Sequence, residues 1–353
     1  MKTIHLLFAA AGVACATTLA AQLPRIVVDG QGAPMVFSDL GAAMLAAPAN
    51  SNLYLSGGSF FVEGGFALSK PLHFIGAGMH PDSTNGTGAT NICTTGSGKF
   101  ALISGASGTS FTGIMFTNEA SPTISFGTFS GNQFVTDVDF LRCMFSNGVN
   151  LGVEEPSGTT SSFTECIFHG TFAGYGGTSV VNRCIFDYTP GTGGMITIFR
   201  PTGLYMLNSV VLGGKLDHCL NASIANCVFT HMGGAIWQSQ DAQVSNCLFS
   251  DTLIFSNCTG LEENNVFGIP ADAIFVNELD GKYQFTDDLH LAGSSPGAGA
   301  GNDGTDIGIY GTDSPYKPGG VPHTPHYRRI EVATGTDASG NLPVNVRVAA
   351  QPD

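Results

Sequence analysis

Phe163-Thr164-Glu165-Cys166-Ile167-Phe168 and Val181-Asn182-Arg183-Cys184-Ile185-Phe186 share one pattern: an apolar residue, two variable residues, Cys, an apolar residue, Phe. It returns as FLRCMF at Phe140–Phe145, IANCVF at Ile224–Phe229 and VSNCLF at Val244–Phe249. Degenerate copies stand at Phe111–Phe116, Met206–Val211 and Glu262–Phe267. Successive copies close 18 to 29 residues apart. A period near twenty, with insertions of variable length and Gly-rich turns, marks a solenoid. The runs between the motifs, such as Met195–Phe199 and Leu253–Phe255, are strand-length and rich in β-branched and aromatic residues. Helical periodicity is absent beyond the N-terminus, and so is the pattern of a leucine-rich repeat. Coils of short strands, paired in parallel from one coil to the next, account for the pattern.

Cys and Phe stand two residues apart, so both face the interior of such a coil. Cys143, Cys166, Cys184, Cys227 and Cys247 then form one column and the Phe residues another, with neighbours about 4.8 Å apart. Cys is expected there as a reduced, buried, small hydrophobe, with Ser209 and Asn265 interrupting its column. The residue before Cys is a third column: Arg142, Glu165, Arg183, Asn208, Asn226, Asn246, Asn264. Asn suits the left-handed conformation of a sharp bend. Arg142, Glu165 and Arg183 are expected to make a ladder of alternating charge. Cys93, Cys219 and Cys258 lie off the column, and Cys219 with Cys258 is a candidate disulfide.

Composition agrees with a β solenoid. The 353 residues include 48 Gly and 25 Phe, and only 11% are charged, against about 25% in ordinary globular chains. That excludes a helical bundle and a disordered chain. Lys plus Arg number 13 against 27 Asp plus Glu, a net charge of −14. Nucleic acid and anionic membrane surfaces are therefore excluded as partners. Lys2, the apolar run Leu6–Ala16 and the small residues up to Ala21 read as a secretory signal peptide over residues 1–21. The run is too short to span a bilayer, and no later run of eighteen apolar residues follows, so no transmembrane segment is expected. The protein is expected to be secreted or held at the cell surface.

These residues resemble the exported bacterial right-handed parallel β-helix proteins, the pectin-lyase-like fold, over roughly residues 50–311. Leu72–Gly78 looks like a first coil of that family, and the Asn-Cys-x-Phe ladder like its middle coils. Ala273–Asn277, Asp287–Leu291 and Ser294–Gly311 look like its final coils. The resemblance implies an all-β, single-stranded right-handed parallel β-helix over residues 22–311 with an N-terminal cap. Residues 312–353 are different: Pro315, Pro318, Pro322 and Pro325 mark a linker, and alternation at Arg329–Val332 and Val344–Val348 marks a C-terminal β-hairpin.

The resemblance points to polysaccharide lyases, hydrolases and epimerases, and each chemistry requires particular residues. A lyase needs a basic residue and a means of neutralising a uronate, and Lys and Arg are few and scattered. A hydrolase needs two spaced carboxylates. Asp137 with Asp139, and Asp287 with Asp288, are read as structural. The Asn-Thr-Asp, Gly-His-Gly and Arg-Ile-Lys elements of polygalacturonases are absent. His169 and Asp187 are expected to stack on adjacent coils, as are His231 and Asp251, and a His beside a carboxylate can act as a general base. Tyr188 and Trp237 are candidate sugar platforms. No CxxC supports zinc, and no cofactor is expected; Asn302–Asp306 is the one candidate for Ca²⁺. The leading expectation is a non-catalytic protein that binds extracellular polysaccharide or a surface protein. The alternative is a polysaccharide lyase or glycoside hydrolase.

Overall fold

The computed structural model describes residues 24–349, apart from 85, 97, 119–122, 128–130, 132–133, 156, 188–196, 200–202, 231–233, 279, 322–325 and 334; at 197–199 and 326–330 it describes the backbone alone. The signal peptide expected over residues 1–21 lies outside the described residues. Each coil contributes one strand to each of three sheets. Sheet I runs from Ser51–Leu55 to Gly260–Glu263, sheet II from Gly58–Val62 to Leu248–Phe249, and sheet III from Phe66–Leu68 to Phe255–Ser256. All pairing between coils is parallel and in register, as in Phe140 beside Phe163 and Phe145 beside Phe168. This is a parallel β-helix.

The N-terminal end is closed twice. Ile26–Asp29 and Met35–Phe37 add antiparallel strands to the head of sheet I. The helix α1 (Leu40–Ala46) is capped by Asp39, whose Oδ1 accepts from the Ala42 N–H at 2.6 Å, and it buries Leu40, Ala43 and Met44. Both devices keep the first coil from exposing an open core and an unpaired edge.

The interior consists of stacked rings. Phe111, Phe140 and Phe163 stack at 5.0 and 4.8 Å on sheet I. Phe145, Phe168 and Phe186 stack at 5.0 and 4.5 Å on sheet II. The spacing is that of neighbouring strands, so the columns follow from the repeat.

The corner column between sheets I and II adopts the left-handed conformation at all seven positions, with φ between 48° and 55°. Asn tolerates this readily; Arg142, Glu165 and Arg183 do not, and an ion ladder holds them. Arg142 Nε meets Glu165 Oε2 at 2.7 Å, and Arg183 Nε meets Glu165 Oε1 at 3.5 Å.

The Cys column does more than fill space. The Cys166 N–H donates to Cys184 Sγ at 3.4 Å, the Cys184 N–H to Ser209 Oγ at 3.1 Å, and the Ser209 N–H to Cys227 Sγ at 3.4 Å. The Cys227 and Cys247 N–H groups continue the chain to Cys247 Sγ and Asn265 Oδ1. Each side chain also donates to a nearby carbonyl, as Cys184 does to Phe163. Ser209 and Asn265 therefore extend the ladder rather than interrupt it, because all three residue types can accept and donate. Cys219, Ser239 and Cys258 repeat the device after sheet III: the Cys219 N–H donates to Ser239 Oγ and the Ser239 N–H to Cys258 Sγ. Ser239 stands between the two cysteines, and all eight described cysteines are thiols, so the candidate Cys219–Cys258 disulfide is corrected.

The segment read as final coils is also different. The last sheet I strand is Gly260–Glu263, Val266 adds one parallel bridge to Leu248 on sheet II, and the described residues of 270–321 double back as a strap along the outside of that sheet. The cause lies in the motif. The residue between Cys and Phe points outward, and it is apolar at Met144, Ile167, Ile185, Val210, Val228 and Leu248. A strand apolar on both faces needs cover on both. Ile274, Phe275, Leu289, Ile307, Ile309 and Tyr316 from the strap supply it in a second buried cluster. The corner column pins the strap in reverse order: Asn246 to the Ala300 carbonyl, Asn226 to Asn302, Glu165 to the Lys317 N–H, and Arg142 to the Val321 carbonyl. Beyond it, His326–Val332 and Val344–Ala349 form the expected antiparallel hairpin.

Candidate functional site: the open face of sheet I and a cluster on sheet III

With sheet II covered by the strap, the outer face of sheet I is a continuous surface of ten parallel strands, about 43 Å long at the strand spacing. One outward column runs His73, Ser110, Asp139, Ser162, Val180, Tyr205, Ser223, Gln243. Beside it run Tyr54, Ile75, Thr112, Leu141, Thr164, Asn182 and Leu207. Neighbours bond along the axis: His73 Nδ1 with Ser110 Oγ at 2.9 Å, and Ser162 Oγ to Asp139 Oδ1 at 2.5 Å. Tyr54 and Tyr205 are exposed, the latter by 50%. No strand of sheet I contains Lys or Arg. The face thus offers hydroxyls, amides and two phenol rings, together with the His73 imidazole, the Asp139 carboxylate and apolar side chains at Ile75, Leu141, Val180 and Leu207.

Sheet III carries a more concentrated group around Trp237, whose partners Lys215, Asp217 and His218 the sequence did not single out. Lys215 and Asp217 alternate with buried Leu216, so both face outward, and Asp217 pairs directly with Trp237 on the next coil. Lys215 Nζ lies 3.8 Å from the centre of the Trp237 ring, a cation–π contact. Asp217 is buried and its Oδ1 lies 2.6 Å from His218 Nδ1, while His218 remains exposed. A buried carboxylate that holds one imidazole nitrogen leaves the other facing solvent. Only the alternation in Lys215-Leu216-Asp217-His218 could have signalled this group.

The sequence candidates fare unequally. His169 and Asp187 do meet on adjacent coils, with Nδ1 2.6 Å from Oδ2. The same Oδ2 accepts from the Tyr283 N–H at 3.0 Å, so the pair also anchors the strap. Asp251 binds the N–H groups of Gly234, Thr252 and Leu253 and shapes its own loop. His231 and Tyr188 lie outside the described residues. Trp237 is half-buried under Lys215. In the calcium candidate, Asp303 Oδ1 accepts from the Thr305 N–H and hydroxyl, which holds its carboxyl below the usual range, and Asp306 Oδ1 accepts from the Gly299 N–H. Among the described residues, no group of three or more His, Cys, Asp or Glu is arranged to hold a metal ion. No described helix is long and apolar enough to cross a membrane.

Charge is unusual where the strap turns over sheet II. Burial raises the carboxyls of Glu278 and Asp287 above the ordinary range, and burial raises the Tyr283 phenol to about 12.

No family model matches the chain, and no curated protein matches its sequence. Among solved structures, the chain is similar to a pectin methylesterase from Aspergillus niger in deglycosylated form, at 16% identity and a TM-score of 0.40, over 72% of this chain and 90% of that one. A likeness of that size assigns no activity to this chain.

Proposed function

We propose that this protein acts outside the cell and binds a neutral polysaccharide lengthwise along sheet I. The observation that supports this reading is the uncovered face of ten strands, on which Ser, Thr, Asn and Gln alternate with Tyr54, Tyr205, carboxylates such as Asp139 and a few apolar side chains, and whose strands contain no Lys or Arg. Hydroxyls and amides exchange hydrogen bonds with sugar hydroxyls, and aromatic rings carry the apolar faces of sugars. A polyanion has nothing to pair with there and meets a chain of net charge −14. A glycan array covering neutral and acidic polymers tests this directly. Binding confined to neutral chains supports it; binding confined to uronates refutes it.

A second reading, a polysaccharide lyase or glycoside hydrolase, is favoured by one observation: the Asp217–His218 pair beside Lys215 and Trp237 on sheet III. A carboxylate-held imidazole next to an ammonium and an aromatic ring has the parts of a general base beside a sugar-binding surface. A reducing-end and unsaturated-product assay, run beside the array, separates the two. Product formation that is lost in His218→Ala selects the enzyme.

A further inference from the structure

We propose that the protein associates head to tail, the C-terminal hairpin of one copy adding to the exposed last strand of sheet I in the next copy. This is independent of the polysaccharide reading.

The acceptor is Gly260–Glu263. It pairs with Ala242–Ser245 on one side, and all four of its residues are exposed. Among the described residues, no strand pairs with its other side, in contrast to the N-terminal end, which strands and a helix close. An unpaired strand edge is a template for another strand. The donor is the hairpin. Val344, Val346 and Val348 are each about half exposed (55%, 46% and 53%), and a lone two-stranded hairpin is marginal in water.

Charge selects the pairing. From residue 216 to residue 281 the chain has eight acidic residues and no Lys or Arg. The hairpin strands carry Arg328, Arg329 and Arg347 against Glu331. Glu262 occupies the inward position that Val244 holds one coil earlier. A bare coil stacked on this end would bury that carboxylate against apolar side chains, which is strongly unfavourable. A strand bearing Arg supplies the countercharge.

Geometry makes the contact intermolecular. The strap ends at Val321, whose carbonyl is held by Arg142. Arg142 is six coil steps from Asn264 along the corner column, about 29 Å, whereas the five residue steps from Val321 to His326 span at most about 18 Å. The hairpin is thus tethered away from its own acidic end and available to another. Such a contact joins unlike surfaces and propagates as an open chain.

Sedimentation velocity on the full chain tests this, with salt raised from about 0.02 M to about 0.5 M. The expected result is assembly that grows with concentration and weakens at least about tenfold in high salt. Glu262→Arg with Glu263→Arg should leave a monomer, as should Arg329→Glu with Arg347→Glu. Mixed together, these two variants should assemble again, because the unaltered hairpin of one meets the unaltered acidic strand of the other and the two reversed surfaces again carry opposite charge. Circular dichroism confirms that each variant is folded. A wild-type monomer throughout, assembly that survives both variants, or a mixture that stays monomeric would each overturn the proposal.

Discussion

Arg142 reaches across 179 positions of sequence to hold Val321: its Nη1 lies 2.5 Å from the Val321 carbonyl while its Nε pairs with Glu165. One buried guanidinium thus joins the corner of a coil to the end of the strap. Arg142→Ala removes both links and leaves Glu165 buried with a weaker partner in Arg183. Removing one member of a buried ion pair costs about 3–5 kcal/mol. Chemical denaturation should show a loss of that size, with faster proteolysis of the strap. An unchanged midpoint would mean that the ladder does not hold the strap.

The hydrogen-bonded Cys column makes a chemical distinction testable. Cys184→Ser keeps an acceptor for the Cys166 N–H and should change stability by less than about 1 kcal/mol, whereas Cys184→Ala leaves that N–H buried without a partner and should cost about 1–3 kcal/mol. Equal losses for the two would show that only volume matters there. Ser209 already occupies an equivalent position in the wild-type chain.

Stability should also fall with pH through the strap. Burial raises the Glu278 carboxyl, so the folded chain keeps a proton that the unfolded chain releases. The folded state is therefore relatively more stable at low pH, and this share is lost as pH rises from the ordinary carboxylate range through the raised value. Glu278→Gln should raise Tm at neutral pH and converge with wild type in acid. Asp287 is raised by burial in the same sense, so Asp287→Asn should act alike. A Tm gain at low pH alone would contradict the sign.

The sheet III cluster separates stability from function. Trp237→Ala and Lys215→Ala remove half-buried outer groups and should leave the fold intact. If the cluster is catalytic, each should reduce product formation as His218→Ala does; if it is structural, a product assay should not distinguish them from wild type.

Much of the fold was legible because the repeat has a short period. Cys and Phe two residues apart fix which side faces inward, and Asn226 and Asn246 announce a bend that only the left-handed region provides. Three features were not legible. Ile167 and Ile185 are apolar like their inward neighbours, so nothing local marks them as outward residues awaiting cover by a strap more than a hundred positions later. The role of Cys166 depends on its counterpart one coil on, which the residue type alone does not reveal. Asp217 and His218 meet by direct adjacency at the end of a sheet III strand, away from the Cys-x-Phe motif that organised the reading. The candidate pair that was legible, His169 with Asp187, is real, but its carboxylate also serves the strap.

On the reading proposed above, sheet I binds neutral polysaccharide along its length. The most direct test is calorimetric titration of a neutral oligosaccharide series into wild type, Tyr205→Ala and Tyr54→Ala. Affinity should rise with chain length and fall about threefold to tenfold in each variant, with no product released. Affinity independent of both tyrosines, or no binding by any neutral chain, would contradict it.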